Sequence, residues 1–193
     1  MSPARLLLTS VLVALMLEAA PAVAQQDPPA PVLDLTPEQR RAYNEGLTEA
    51  RRLMAERQWA RAAVKLEALV KQRPREAQAR FLLGVVQTEQ GERAGAIATY
   101  ESLIADYPEI PEPYNNLAVL LAQAGQIEAA RTNLETAVRT APDWPTAHEN
   151  LGDIYARLAA EQYERAATLP RGSRSAPAKL KIVRDLLAAN ARP

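Results

Sequence analysis

The same residue types return every 34 residues through most of this chain, and that period constrains its fold more than any single motif. A small residue recurs at Ala50, Gly84, Ala118 and Gly152, preceded by a leucine at Leu83, Leu117 and Leu151. Ala62, Ala96 and Ala130 form a second column, followed by the larger Leu66, Tyr100 and Leu134. Proline closes each unit at Pro74, Pro108 and Pro142, and glycine marks a turn at Gly91 and Gly125. Small residues let two antiparallel helices approach, Leu and Tyr fill the space between them, Gly opens the turn, and Pro stops the second helix.

Composition agrees with helices. Apolar residues make up 48% of the 193-residue chain, yet aromatics only 5%, and the abundant Ala, Leu, Arg, Glu and Gln are good helix formers. With no cysteine there is no disulfide or thiolate metal site. Twenty-three basic residues balance 23 acidic ones, so no broad field draws nucleic acid or an anionic membrane, and nucleic acid is excluded as an expected partner.

The units Arg80-Phe-Leu-Leu-Gly-Val-Val-Gln-Thr-Glu-Gln-Gly91…Ala96…Tyr100…Pro108 and Tyr114-Asn-Asn-Leu-Ala-Val-Leu-Leu-Ala-Gln-Ala-Gly125…Ala130…Pro142 resemble tetratricopeptide repeats. The resemblance covers about residues 40–170. It implies an all-α, right-handed superhelix of stacked helix pairs. Three full repeats are expected at 43–76, 77–110 and 111–144, the first weaker because Gly46 and Glu49 stand where an aromatic and a leucine are usual. A degenerate fourth occupies 145–170, so the array as a whole spans 36–170. In that unit Ala159 and Tyr163 come five residues too early for a second helix. No Gly, Pro or Asn follows Gly152 before Leu169, so one continuous helix from Pro145 to Leu169 is expected. Residues 171–193 then form a loop and an amphipathic helix, roughly Ala178 to Ala189, with Leu180, Val183, Leu186 and Leu187 as the face that caps the open end.

Ahead of the array, Arg5, the apolar run Leu6 to Leu17 and the small-residue site Ala22-Val-Ala24 have the layout of a signal peptide over residues 1–24. The run falls short of the roughly 18–20 residues a membrane span needs. Residues 25–35 are a proline-rich linker, and Thr36-Pro37-Glu38-Gln39 is a capping box that starts the first helix. Cleavage after Ala24 predicts a periplasmic protein. The alternative is an uncleaved inner-membrane anchor facing the periplasm, the only case with membrane contact. Pro111-Glu-Pro-Tyr-Asn-Asn-Leu and His148-Glu-Asn-Leu-Gly-Asp-Ile-Tyr155 also resemble exported repeat proteins of Gram-negative envelopes.

No reactive constellation is legible. The single histidine, His148, takes the slot of Tyr114 one unit earlier and reads as a helix-packing residue. The three serines beyond residue 24, Ser102, Ser173 and Ser175, have no partner in triad spacing. The glycines form no phosphate loop and the carboxylates no calcium loop. The expectation is a chain that is no enzyme and takes no cofactor and no metal.

What the resemblance implies instead is a groove lined by the first helix of each pair. Its expected wall is Phe81, Leu82, Val85 and Glu89, then Asn115, Asn116, Val119 and Gln123, then Glu149, Asn150, Asp153 and Arg157. Asn116 and Asn150, 34 apart, would face solvent and hold a ligand backbone. Trp144 is a further candidate, as an exposed anchor in the loop between repeats three and four or packed beneath it. The expected function is a non-catalytic scaffold of the bacterial envelope that binds an extended peptide or partner helix. The alternative is an accessory or regulatory subunit of an envelope enzyme complex acting on cell wall or polysaccharide.

Overall fold

The computed structural model describes residues 36–190. The signal segment and the linker expected from the sequence lie outside the described residues. Helices α1 (Pro37–Ala55), α2 (Trp59–Gln72), α3 (Ala77–Glu89), α4 (Arg93–Asp106), α5 (Pro111–Gln123), α6 (Ile127–Thr140), α7 (Pro145–Thr168) and α8 (Ala176–Asn190) follow one another with no strand among the described residues. The period is visible in the boundaries themselves: α2, α4 and α6 begin at 59, 93 and 127, and α3, α5 and α7 at 77, 111 and 145. The fold is an all-α solenoid in which each helix packs chiefly on its chain neighbours. Among the described residues no helix is long and apolar enough to cross a membrane.

Local chemistry sets the ends of the helices. Thr36 accepts from the Gln39 amide at 3.2 Å while the Gln39 side chain accepts from the Thr36 amide at 3.0 Å, closing a capping box at the head of α1. In each of the three full repeats the first helix ends in a left-handed residue, and the amides there turn back onto the helix. In repeats two and three that residue is Gly91, at φ 76°, and Gly125, at φ 77°. In repeat one it is Arg57, at φ 55°, with Gln58 donating to the Leu53 carbonyl at 2.8 Å just as Glu92 donates to that of Gln87.

The small column does what its spacing promised in repeat two. A methyl group placed on Gly84 would lie 2.6 Å from the ring of the buried Tyr100, so only glycine permits this approach of α3 to α4. In repeat one a close approach lies at Gly46, where a methyl would meet Leu69 at 2.8 Å. Gly152 breaks the series. It is exposed, and a methyl placed on it would meet nothing among the described residues within 4 Å, because α7 runs on without the turn that would fold a second helix over it.

The apolar interior forms two clusters. One joins α1, α2 and the Ala79 and Val86 face of α3, around Leu47, Leu66 and Leu69. The other runs from Ala96 and Tyr100 through Leu117, Leu121 and Leu134 to Ile154. Helix α3 serves both, with Leu82 and Leu83 against the first and Phe81 against the second. At the C-terminus α8 packs on α7. Ala176 is buried and Leu180, Val183 and Leu187 are half-buried, but Leu186 is 52% exposed and does not belong to the capping face. Neighbouring residues on a helix point about 100° apart, so Leu186 and Leu187 cannot both face α7.

Candidate functional site

The first helices α3, α5 and α7 present a face with two clefts between successive repeats. The larger, of about 270 Å³, lies between α3 and α5 and is lined by Ala77, Gln78, Phe81, Leu103, Ile110, Glu112 and Pro113. Phe81 is half-buried there, its ring 6.1 Å from that of Tyr100. The second, of about 150 Å³, has Ala118, Leu134 and Ile154 with Val119, Ala122, Gln123, Asn150, Asp153 and Arg157 around them. Arg157 reaches back to donate to the Ala122 carbonyl at 3.3 Å, tying the far wall of this cleft to the near one.

Of the residues expected to line a groove, the structure gathers Val119, Gln123, Asn150, Asp153 and Arg157 at the second cleft and places Phe81 in the first. Glu89 and Gln123 flank a separate hollow near the Gly91 turn. Val85 is half-buried and Glu149 exposed, neither lining a cleft. Leu82 is turned toward the N-terminal core instead of the groove. Gln78 and Ile110 carry no such signal in the period alone, although Gln78 stands 34 residues before Glu112 and shares its column.

The asparagines need a larger correction. Asn115 is only 5% exposed and is not a groove residue at all. Its Oδ1 accepts from Asn150 Nδ2 at 2.8 Å, and its own Nδ2 donates to Asn116 Oδ1 at 3.2 Å. Asn116 in turn donates to the Tyr100 hydroxyl at 3.3 Å. The amides expected to await a ligand therefore form a chain from α4 through α5 to α7, since a buried amide left without partners would be costly. Burial pushes the Tyr100 phenol above its usual pKa, the hydrogen bonds from Thr88 and Asn116 oppose it, and Glu89 adds to the rise, so the hydroxyl stays protonated at neutral pH.

Trp144 is half-buried at the N-cap of α7, not an exposed anchor. His148 is exposed, and its Nε2 lies 2.7 Å from the Pro142 carbonyl, as the Tyr114 hydroxyl donates to the Pro108 carbonyl at 3.3 Å one repeat before. This column ties α5 and α7 to the turns that precede them, whereas its member in α3, Arg80, bonds forward to α4. Arg80, 9% exposed, holds Asp106 and Ser102 of α4, each at 2.6 Å.

A hollow of about 660 Å³ at the N-terminal end is lined by α1 alone, from Pro37 to Glu49, and is the outer surface of one helix rather than a cleft between elements. Another, of about 550 Å³, lies between α1 and α2 beside the exposed Val64.

Comparison with known proteins supports the fold and leaves the ligand open. The chain matches no curated protein sequence. Among solved structures it resembles the type III secretion chaperone SycD of Yersinia enterocolitica in complex with a peptide of the translocator YopD, at 17% identity and TM-score 0.57 over 67% of this chain and 99% of that one. It also resembles the Sgt2 TPR domain of Aspergillus fumigatus, at 14% identity and TM-score 0.60 over 72% and 89% of the two chains. A third likeness is the first TPR of Spaghetti (RPAP3) bound to the HSP90 peptide SRMEEVD, at 13% identity and TM-score 0.58 over 62% and 94%. Two tetratricopeptide-repeat family profiles match residues 47–111 and 87–158 and so run without a break from the first repeat into α7; the chain belongs to the tetratricopeptide-repeat family.

Proposed function

We propose that the chain is a non-catalytic interaction module of the bacterial envelope that takes an extended segment of a partner protein along the face made by α3, α5 and α7. The pair of clefts between successive first helices carries this reading. Both lie below the roughly 300 Å³ at which small-molecule sites begin, so each suits one apolar side chain of a longer ligand rather than a whole metabolite. Two of the structural relatives are complexes with peptides. The signal-peptide layout of residues 1–24 supports the envelope setting.

Peptides selected from a displayed random library against the purified protein test the face. Binding should fall at least about tenfold in Val119→Arg, which places a charge beside the second cleft, and remain in Val64→Arg between α1 and α2. Loss in Val64→Arg alone moves the site to the N-terminal hollow. N-terminal sequencing and osmotic-shock fractionation test the setting: a soluble product starting at Gln25 is expected. Membrane recovery with residues 1–24 attached supports the anchored alternative, and cytoplasmic recovery removes the envelope from the reading.

A further inference from the structure

The 34-residue period relates the cleft beside Phe81 to a junction that the chain fills by itself. Three apolar walls of the cleft, Phe81, Leu103 and Pro113, stand where Leu47, Leu69 and Ala79 stand one repeat earlier, between α1, α2 and α3. Leu47, Leu69 and Ala79 are buried in one cluster, and Tyr43 is buried in it with them. Tyr43 is only 5% exposed, with the Arg73 guanidinium 5.5 Å from its ring centroid. One repeat on, the column of Tyr43 holds Ala77, itself part of the cleft lining. Alanine leaves empty the room that a tyrosine ring takes up at the earlier junction, and the hollow of about 270 Å³ opens onto it.

We infer that the cleft between α3 and α5 takes an aromatic side chain of the bound segment, in the role that Tyr43 plays from within the chain at the preceding junction. The inference rests on the reading of the face as the binding site and adds the residue class that anchors there. A flat ring fills a slot between helices that a branched aliphatic side chain leaves partly void, and the walls of a void lose their contacts. The neighbours suit a ring. Phe81 lies half-buried in the cleft, tilted by 49° to Tyr100 at a centroid distance of 6.1 Å, and a further ring extends this arrangement. At the earlier junction the Tyr43 hydroxyl is buried with no hydrogen-bond partner among the described residues, so that place selects the ring and not its polar end. Phenylalanine therefore suits the cleft as well as tyrosine does.

Peptides selected from a displayed random library against the purified full chain test this, each remade with a fluorescein label and measured by anisotropy. The selected sequences should share one aromatic position. Replacing that residue by alanine should weaken binding at least about tenfold, and by leucine about fivefold, the margin of a ring contact over an aliphatic one. Ala77→Tyr, which sets in the cleft the ring that Tyr43 provides one repeat earlier, should weaken the same peptides at least about tenfold. Ala77→Leu, a smaller plug, should weaken them less. Helix content and melting temperature of each variant establish that it is folded; should Ala77→Tyr not fold, Ala77→Leu and the peptide substitutions decide. Peptides with no shared aromatic position, peptides that keep their affinity when leucine replaces it, or peptides indifferent to a folded Ala77→Tyr variant overturn the aromatic assignment. In those cases loss of binding in Val119→Arg keeps the face as the site. A library that yields no binder, or binders that ignore both Val119→Arg and Ala77→Tyr, removes the reading of the face and this inference with it.

Discussion

Asn150 on α7 donates a 2.8 Å hydrogen bond to Asn115 on α5, so two amides 35 residues apart in the chain hold consecutive first helices together. Asn115 is the hub, since it bonds to Asn116 as well and is buried. Asn115→Ala should destabilise the protein by ~1–3 kcal/mol, because it leaves Asn150 short of its acceptor in a half-buried place. Urea unfolding measures this. A midpoint equal to that of the parent would mean the amide chain contributes nothing.

The glycine column gives opposite signs for one substitution. Gly84→Ala forces a methyl against the Tyr100 ring, 2.6 Å from its nearest carbon, and should cost ~1–2 kcal/mol even after the gain in helix propensity. Gly152→Ala meets no described atom within 4 Å and should stabilise by ~0.5–1 kcal/mol. Thermal melts of the two variants should move in opposite directions. A drop for both would place an unrecognised contact over Gly152.

Arg57 occupies a conformation that its two counterparts fill with glycine. A side-chain-bearing residue in the left-handed region costs roughly 1–2 kcal/mol, part of which glycine returns through its freer unfolded state. Arg57→Gly should therefore raise stability by ~0.5–1 kcal/mol, read by denaturant titration. Lower stability would show that the Arg57 side chain contributes more than its backbone costs.

On α8, Leu187→Asp should loosen the terminal helix, at ~1–3 kcal/mol for a charge placed in a half-buried seam, while Leu186→Asp should change stability by less than ~0.5 kcal/mol. Amide hydrogen exchange along α8 distinguishes them. Equal protection in both variants would count against the observed face.

The repeat is legible because it is written in residue size. A glycine that admits Tyr100 and a proline that follows α4 act through sterics, and sterics depend on local spacing that sequence displays. The capping box at Thr36 is legible for the same reason: all its partners lie within four residues. Asn115 escapes such a reading because one of its partners comes from the next repeat, and an Asn that answers a neighbouring Asn has the same sequence signature as one that awaits a ligand. Arg80 poses the same problem, with its acceptors 22 and 26 residues away on α4. Gly152 keeps its column but has lost its function, since a period records what a residue resembles and not whether the helix that should cover it exists. The clefts are only half legible: Val119 and Asp153 follow from helix phase, whereas Ile110 enters from the connection between repeats, where phase says nothing.

The division of the apolar interior at α3 bears on how this protein would report a bound partner. The two clusters meet through α3, and the cleft beside Phe81 is lined by the face of α3 that serves the second of them, with α5 on its other side. A segment lying across it would act as a splint. Its mark would be a rise in the midpoint of unfolding, as α3 and α5 are held together, more than any change in the shape of the helices.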